Sequence, residues 1–223
     1  MNASPVHAVL ASHGTRALWH YTLVEHLAGI LSEGAVYSRA ELQRRGLFFN
    51  SAHYYGDAEK ERVLPEYVSC ATMPPWGMMG KETAEIAILD VAPSVVATPG
   101  TCFCPGWSPQ AVFSADEITT WTGPEHAEAL YSGPGYQTVP GAEIFVPTAI
   151  ALASVREIVF YDSEGANRAL PELRAALAGS SAGASSDHTI TLRVQPTRFP
   201  KNWEAMGPPW MREEEDEDDN FIF

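Results

Sequence analysis

Along the chain, apolar residues recur in some stretches with the period of a strand and in others with the period of a helix. This pattern predicts a succession of short strands and short helices. Residues 17–22, ALWHYT, are typical of a strand. In residues 23–33 the apolar positions return with the period of a helix. Gly34 follows in the position of a C-cap glycine, so the helix is predicted to end there.

The same criteria predict further elements along the chain. Strands are predicted at residues 36–37, 67–72, 83–90, 143–146, 155–161 and 188–194. Helices are predicted at residues 39–45, 124–131 and 170–177. Ser38 with Glu41 three residues later is a capping-box pattern for the first of these helices, and Gly46 ends it. Residues 93–110, rich in Pro and Gly, are predicted as a loop.

Strands and short helices without a regular β-α-β alternation indicate an α+β fold rather than a doubly wound sheet. The chain carries no glycine-rich phosphate loop of the Rossmann or Walker kind. An enzyme of this sequence that uses a nucleotide would therefore hold it by other means.

Composition divides the chain into four segments. We predict a globular domain at residues 1–178, a flexible linker at 179–187 (GSSAGASSD) and a C-terminal strand with its extension at 188–212. An acidic tail follows at 213–223. The tail is interpreted as a disordered solubilising segment, or as a competitor for positive groups of the protein's own site.

Charge limits the partners that the surface can bind. The formal net charge is −14, and residues 213–219 (EEEDEDD) supply 7 of the negative charges, which leaves −7 for the rest. An acidic surface is a poor match for nonspecific binding to phosphates, so any nucleic-acid role requires a local cleft. No apolar run approaches the about 18 residues of a membrane span, and the N-terminus lacks the features of a signal peptide. We expect a cytoplasmic protein that does not bind membranes.

Cysteine usage agrees with a reducing compartment. Cys70, Cys102 and Cys104 are odd in number, and their spacing makes no disulfide framework. The Cys102-Phe103-Cys104 sequence lacks the gap and the second ligand pair of a zinc site. We therefore expect no metal.

Two polar features near predicted strands are candidates for ligand binding. His20-Tyr21-Thr22 ends the first strand, and period-2 alternation puts His20 and Thr22 on one face, where they can hydrogen-bond a ribose or an amide. The alternative is a histidine that caps a strand end. Arg62 can hold a pyrophosphate or carboxylate with two parallel bonds, or it can be a solvated loop charge.

Two more features complete the candidate chemistry. Trp76, Met78 and Met79 cluster in the turn MPPWGMMG, where they can wall a planar ring or form a satellite apolar cluster. Glu143 stands at the start of an apolar strand, EIFV. It lies either on a solvated edge or at the mouth of a cleft, where a carboxylate can act as a base or stabilise a developing cation.

The segments that carry these features, taken in their order along the chain, resemble the DarT-type ADP-ribosyltransferases (a DUF4433-like family). These are toxins that transfer ADP-ribose from NAD to bases in DNA. The resemblance covers residues 17–162. It rests on LWHYTLVEHLAGILSEGAVYSRAEL (18–42), on EYVSCATMPPWGMMGK (66–81), on EIAILDV followed by GTCFC, and on GAEIFVPTAIALASVREIVFYD (141–162). It implies an ADP-ribosyltransferase-like fold of two packed central β-sheets with peripheral helices.

The resemblance also implies roles for individual residues. His20, Tyr21 and Thr22 would hold the nicotinamide ribose and amide end of NAD, and Met78 would help to wall the pocket. Glu143 would be the catalytic acid. Arg62 is the best match for the catalytic arginine, and the other arginines available for that role are Arg39, Arg44 and Arg45.

The implied reaction uses NAD as co-substrate and no metal, with single-stranded DNA as acceptor. The aromatic residues available to stack on bases are Tyr54, Tyr55, Trp107 and Trp121. A macrodomain antitoxin that reverses the modification is the implied partner, and we expect a monomer. The alternatives are a transferase acting on RNA or protein, an inactive nucleotide-binding module, and an interaction protein whose acidic tail docks a basic partner.

Overall fold

A computed structural model of the chain describes residues 4–47, 62–72, 86–105, 114–132, 142–179, 189–194 and 219–222. The helices are α1 (Pro5–Ser12), α2 (Leu27–Glu33), α3 (Arg39–Arg45), α4 (Ala115–Thr120), α5 (Pro124–Ala129) and α6 (Ser163–Gly179). The strands are β1 (Leu18–Leu23), β2 (Ala35–Tyr37), β3 (Tyr67–Ala71), β4 (Ile86–Val91), β5 (Cys102–Cys104), β6 (Glu143–Pro147), β7 (Ala149–Ala151), β8 (Val155–Phe160), β9 (Thr191–Val194) and β10 (Asp219–Ile222). The mixture of antiparallel strands and short helices confirms the predicted α+β class.

Eight of these strands form one sheet in the order β10-β9-β8-β4-β1-β3-β6-β5, and β2 pairs with β7 in a small second sheet. Neighbouring strands are antiparallel except β8 and β9, which are parallel. The large sheet nearly divides in the middle, because β1 and β3 share the single pair Trp19↔Ala71. On either side the pairing is extensive, with six pairs between β1 and β4 and five between β3 and β6. The two sheets expected from the sequence correspond to a five-strand part and a three-strand part joined at this point.

The main core covers one face of both parts of the sheet. Cross-strand partners put Leu18, Leu89, Ile144 and Phe160 on that face, and all four are buried. Apolar residues of α1, α2 and α6 pack onto it. This arrangement follows from the period of each element, since alternate strand residues and one helix face are apolar.

The opposite face of the sheet carries two smaller apolar clusters, one on each part. On the five-strand part, Ile88 and Val159 are buried beneath partly buried aromatic residues that include Trp19 and Tyr21. On the three-strand part the cluster consists of Leu64, Cys102, Cys104, Ile118 and Phe145, with Tyr67 packed against it. The two clusters therefore flank the line where β1 meets β3.

Local signals at helix ends act as the sequence predicts. Gly34 and Gly46 take left-handed backbone conformations after α2 and α3. Ser38 accepts a hydrogen bond from the Glu41 N–H at 3.2 Å. The other half of the predicted capping box does not form, because the Ser38 N–H donates to the Thr148 carbonyl and the Glu41 carboxylate binds Arg44 and Arg45.

Several elements differ from the sequence-based predictions. Helix α6 begins at Ser163, seven residues before the predicted start at 170, and it contains Pro171. Helix α1, helix α4 and strand β5 were not predicted, since each is short and β5 lies inside a Pro- and Gly-rich segment. The tail was interpreted as disordered, but its residues Asp219–Ile222 pair with β9 as an edge strand. Among the helices described, none is long and apolar enough to cross a membrane.

Thr148 is the one residue other than glycine with a positive φ in the described part of the chain, at 64°. A β-branched residue is strained there, since its Cβ crowds the backbone. We expect Thr148→Gly to raise the free energy of unfolding by about 1 kcal/mol, because glycine removes that strain and keeps both backbone hydrogen bonds. Urea denaturation measures the change.

The control for this prediction is Thr120→Gly, which places the same substitution in the helical backbone of α4. Glycine there costs backbone entropy and removes the hydroxyl that donates to the Glu117 carbonyl, so the control should be less stable than the parent. Equal losses in both variants would contradict the strain at Thr148.

Candidate active site at the junction of two sheet parts

The site begins with Glu143, the first residue of β6. Its side chain is 4 % exposed although it carries a carboxylate. The pairing register puts Glu143 opposite Ala71 on β3 and opposite Cys104 on β5, so its side chain lies on the face of the smaller apolar clusters. Of the two interpretations of Glu143 from the sequence, the structure excludes the solvated edge.

Ser69 holds the carboxylate in place. It lies on β3 two residues before Ala71, which makes it a diagonal neighbour of Glu143 on the same face. The Ser69 hydroxyl donates a hydrogen bond to Glu143 Oε1 at 2.7 Å. A hydrogen bond of this kind partly replaces the hydration that a buried carboxylate loses.

His20 reaches the same serine from the other side of the junction. Its Nδ1 lies 2.8 Å from the carbonyl oxygen of Ser69. A carbonyl oxygen only accepts, so Nδ1 carries the proton, and in the neutral ring Nε2 is an acceptor. Through one residue of β3, the structure therefore connects the predicted histidine to the predicted glutamate.

His20 pairs with Leu89, so the His20 face of β1 is the face of the main core, whereas Glu143 lies on the other face of the sheet. Thr22 is buried and pairs with Ala87, which puts it on the same face of β1 as His20. Tyr21 points to the opposite face, and its ring lies 6.4 Å from the His20 ring at an interplanar angle of 22°. The predicted placement of His20 and Thr22 on one face of the strand is confirmed.

Arg62 lies elsewhere on the surface. Its side chain is 62 % exposed, and its Nη2 lies 3.0 Å from Asp116 Oδ1. Two of the alternative arginines also lie in surface ion pairs: Arg44 bridges Glu41 and Glu66, and Arg45 binds Glu41 while its guanidinium lies 4.0 Å from the centre of the Tyr37 ring. Arg39 is half-buried at the start of α3.

Other predicted contributors lie outside the described residues, namely Met78 with its neighbours Trp76 and Met79, and the aromatic residues Tyr54, Tyr55 and Trp107. Trp121 is described. It is partly buried and stacks on His126 with ring centres 6.0 Å apart. In the described ranges, no group of three or more His, Cys, Asp and Glu side chains gathers to hold a metal ion.

The face that carries Glu143 also carries Cys102 and Cys104, while Cys70 lies on the other face in the main core. Burial, with a smaller contribution from the negative charge of Glu143, raises the pKa of Cys70 to about 12. Burial also raises the pKa of Cys102. The pKa of Tyr67 rises to about 12, mainly because of burial and partly through Cys102. Burial is the largest cause of each of these three shifts.

The sequence singled out His20, Thr22 and Glu143 as candidates but not Ser69, which the structure places between His20 and Glu143. A serine inside an apolar strand, YVSCA, gives no signal by itself, because serines in proteins are mostly exposed. The signal that could have found it is the alternation of β3, which puts Ser69 on the face opposite to the buried Val68 and Cys70.

Solved structures of DarT proteins share the fold of this chain. DarTG of Thermosipho africanus, in complex with ADP-ribose, superposes with a TM-score of 0.56 at 17 % identity, covering 82 % of this chain and 51 % of that one. DarT of Thermus sp. 2.9 in complex with NAD+ superposes with a TM-score of 0.52 at 15 % identity, covering 83 % and 98 %. The same DarT in complex with ADP-ribosylated single-stranded DNA gives a TM-score of 0.53 at 16 % identity, covering 84 % and 97 %.

These likenesses confirm the fold predicted from the sequence. The chain spans about half the length of the Thermosipho protein and most of the length of the Thermus protein. Comparison with protein-family models and with curated proteins gives no match.

All three cysteines are free and buried. The thiolate is the reactive form, and a raised pKa reduces its fraction at pH 8. We therefore expect the native protein to react slowly with a thiol reagent such as Ellman's reagent, and to release three equivalents after unfolding in guanidinium without reductant. Rapid reaction of a thiol in the native protein would contradict the burial of the three cysteines.

Proposed function

We propose that this protein is an ADP-ribosyltransferase that takes ADP-ribose from NAD+ and attaches it to a base in single-stranded DNA. The observation that carries the proposal is the Ser69-mediated connection between His20 and the buried Glu143 at the sheet junction. The likeness of the fold to that of proteins solved with NAD+ and with ADP-ribosylated single-stranded DNA supports it.

In this proposal His20 and Thr22 bind the nicotinamide ribose and amide end of NAD+. The proton on His20 Nδ1 is used by the Ser69 carbonyl, so Nε2 offers its lone pair to a ribose hydroxyl or to the amide N–H. Tyr21, whose ring lies nearly parallel to the histidine, and Met78 form the wall of the nicotinamide site.

Glu143 acts on the bond that breaks. The glycosidic bond between C1′ of the ribose and the nicotinamide nitrogen breaks, and its electron pair leaves with neutral nicotinamide. Positive charge develops on the ribose, and a fixed carboxylate in an apolar environment stabilises that charge. The lone pair of a ring nitrogen on the acceptor base forms the new bond to C1′, and Glu143 accepts the proton that this nitrogen loses.

The apolar cluster next to Glu143 limits the competing reaction with water. Cys104 lies directly opposite Glu143, and Phe145 follows on the same face of β6. Exclusion of water from the activated ribose favours transfer over hydrolysis. A single-stranded acceptor fits this arrangement, because its bases need not be unpaired before they enter.

The remaining parts of the proposal come from the sequence and the fold likeness together. Arg62 stays the predicted catalytic arginine, and in that role it has to exchange its ion pair with Asp116 for a contact with the substrate. We further propose a cytoplasmic, monomeric toxin whose modification a macrodomain antitoxin reverses. The linker at 179–187 and the extension at 188–212 stay predictions, with β9 as the part of the extension that pairs with β8.

The first test concerns Glu143. Incubation of the protein with NAD+ and single-stranded oligonucleotides should give products heavier by one ADP-ribose, detected by mass spectrometry. Glu143→Ala should reduce the rate by at least about 10²- to 10³-fold, the size of effect when a group that stabilises transition-state charge is lost. Glu164→Ala, which removes an exposed carboxylate in the first turn of α6, is the matched control and should retain activity.

The outcomes separate the alternatives. Modification of RNA or protein alone would overturn the DNA assignment and keep the NAD chemistry. Full activity of Glu143→Ala would show that the assignment of the glutamate is wrong. Binding of NAD+ without cleavage by the parent protein would identify an inactive binding module.

The second test concerns His20 and separates binding from catalysis. His20→Ala should weaken the binding of NAD+ by about tenfold or more, because a partly buried hydrogen-bonding partner of the ribose is lost. Glu143→Ala should bind NAD+ with an affinity close to that of the parent. Titration calorimetry measures both, and equal losses in the two variants would contradict the division of roles.

A further inference from the structure

The junction between β1 and β3 lacks most of the backbone pairing that holds neighbouring strands together. After the pair Trp19↔Ala71, regular antiparallel pairing would continue with Tyr21 opposite Ser69. Instead, the Ser69 carbonyl accepts from a side chain, the Nδ1–H of His20. A buried carbonyl needs a partner, and here a residue of the site supplies it.

The second polar group of Ser69, its side-chain hydroxyl, contacts Glu143. While its carbonyl binds His20, its hydroxyl binds Glu143 at 2.7 Å. We propose that Ser69 is a positioning residue that sets the tautomer of His20 and the rotamer of Glu143 together. This inference rests on the proposed function and assigns to Ser69 no contact with substrate.

The two contacts predict different consequences. The contact with His20 is made by the backbone, so it survives substitution of the side chain, and the binding of NAD+ should persist. The contact with Glu143 is made by the hydroxyl, and its loss leaves a buried carboxylate without this donor. The carboxylate acts on charge that develops in the transition state, so the loss should appear in kcat and not in KM for NAD+.

The experiment compares Ser69→Ala and Ser69→Thr with the parent in the oligonucleotide assay. We expect Ser69→Ala to lower kcat by about 10- to 100-fold, the range for a hydrogen bond to a charged group, with KM for NAD+ changed less than threefold. Ser69→Thr keeps the hydroxyl and should restore kcat to within about threefold of the parent. Thr101→Val is the matched control, since it removes a buried hydroxyl that donates to the Thr98 carbonyl, and its kcat should not change.

A double-mutant cycle separates positioning from a structural role. Glu143→Asp shortens the side chain so that it no longer meets the Ser69 hydroxyl. If Ser69 acts through Glu143, adding Ser69→Ala to Glu143→Asp should lower kcat by less than about threefold. Equal effects of Ser69→Ala in both backgrounds would overturn the proposal.

The tautomer of His20 gives a test that needs no activity. Nitrogen-15 spectra of the histidine-labelled protein, with His20 assigned by comparison with His20→Gln, should show a protonated Nδ1 in the neutral ring. A proton on Nε2 would overturn the carbonyl contact. A parent protein that modifies no acceptor would overturn the proposed function and this inference together, whereas an active parent with an equally active Ser69→Ala variant would overturn the inference alone.

Discussion

The structure depends on one incomplete strand pairing. β1 and β3 are neighbours in the large sheet, yet they share the single pair Trp19↔Ala71. A complete set of hydrogen bonds between these strands would give one continuous sheet. Because the backbone groups beyond this pair need partners, His20 binds the Ser69 carbonyl, and a side chain takes the place of a neighbouring strand.

The buried carboxylate of Glu143 is the second consequence of this junction. An acid that is 4 % exposed lowers the stability of a fold unless hydrogen bonds replace its hydration. The Ser69 hydroxyl supplies one such bond, while Cys104 and Phe145 keep the environment apolar. A carboxylate held in this way costs stability, and the same low polarity strengthens its interaction with a developing positive charge. The burial of Glu143 therefore lowers the stability of the fold and strengthens the proposed catalytic interaction.

The shared fold at 15 to 17 % identity shows which features are independent of most side chains. Strand order and the division of the sheet need alternating apolar positions and not particular residues. The sequence signals that predicted where helices begin and end are also independent of most side chains. Gly34 and Gly46 end helices, and Ser38 begins one, since each acts on backbone groups within four residues. The first seven residues of helix α6 were not predicted, since Pro171 is typical of a helix start whereas the helix begins at Ser163.

The sequence by itself determined the local elements, the α+β class and the alternation that puts His20 and Thr22 on one face of β1. It also singled out Glu143, because an acid at the start of an apolar strand is conspicuous. Only the tertiary structure decided that Ser69 lies between the two, 49 residues after His20 and 74 before Glu143. The physical reason is that periodicity acts along one strand, whereas the register between strands is set by packing across the whole sheet. The tertiary structure also showed that Arg62 pairs with Asp116 on the surface.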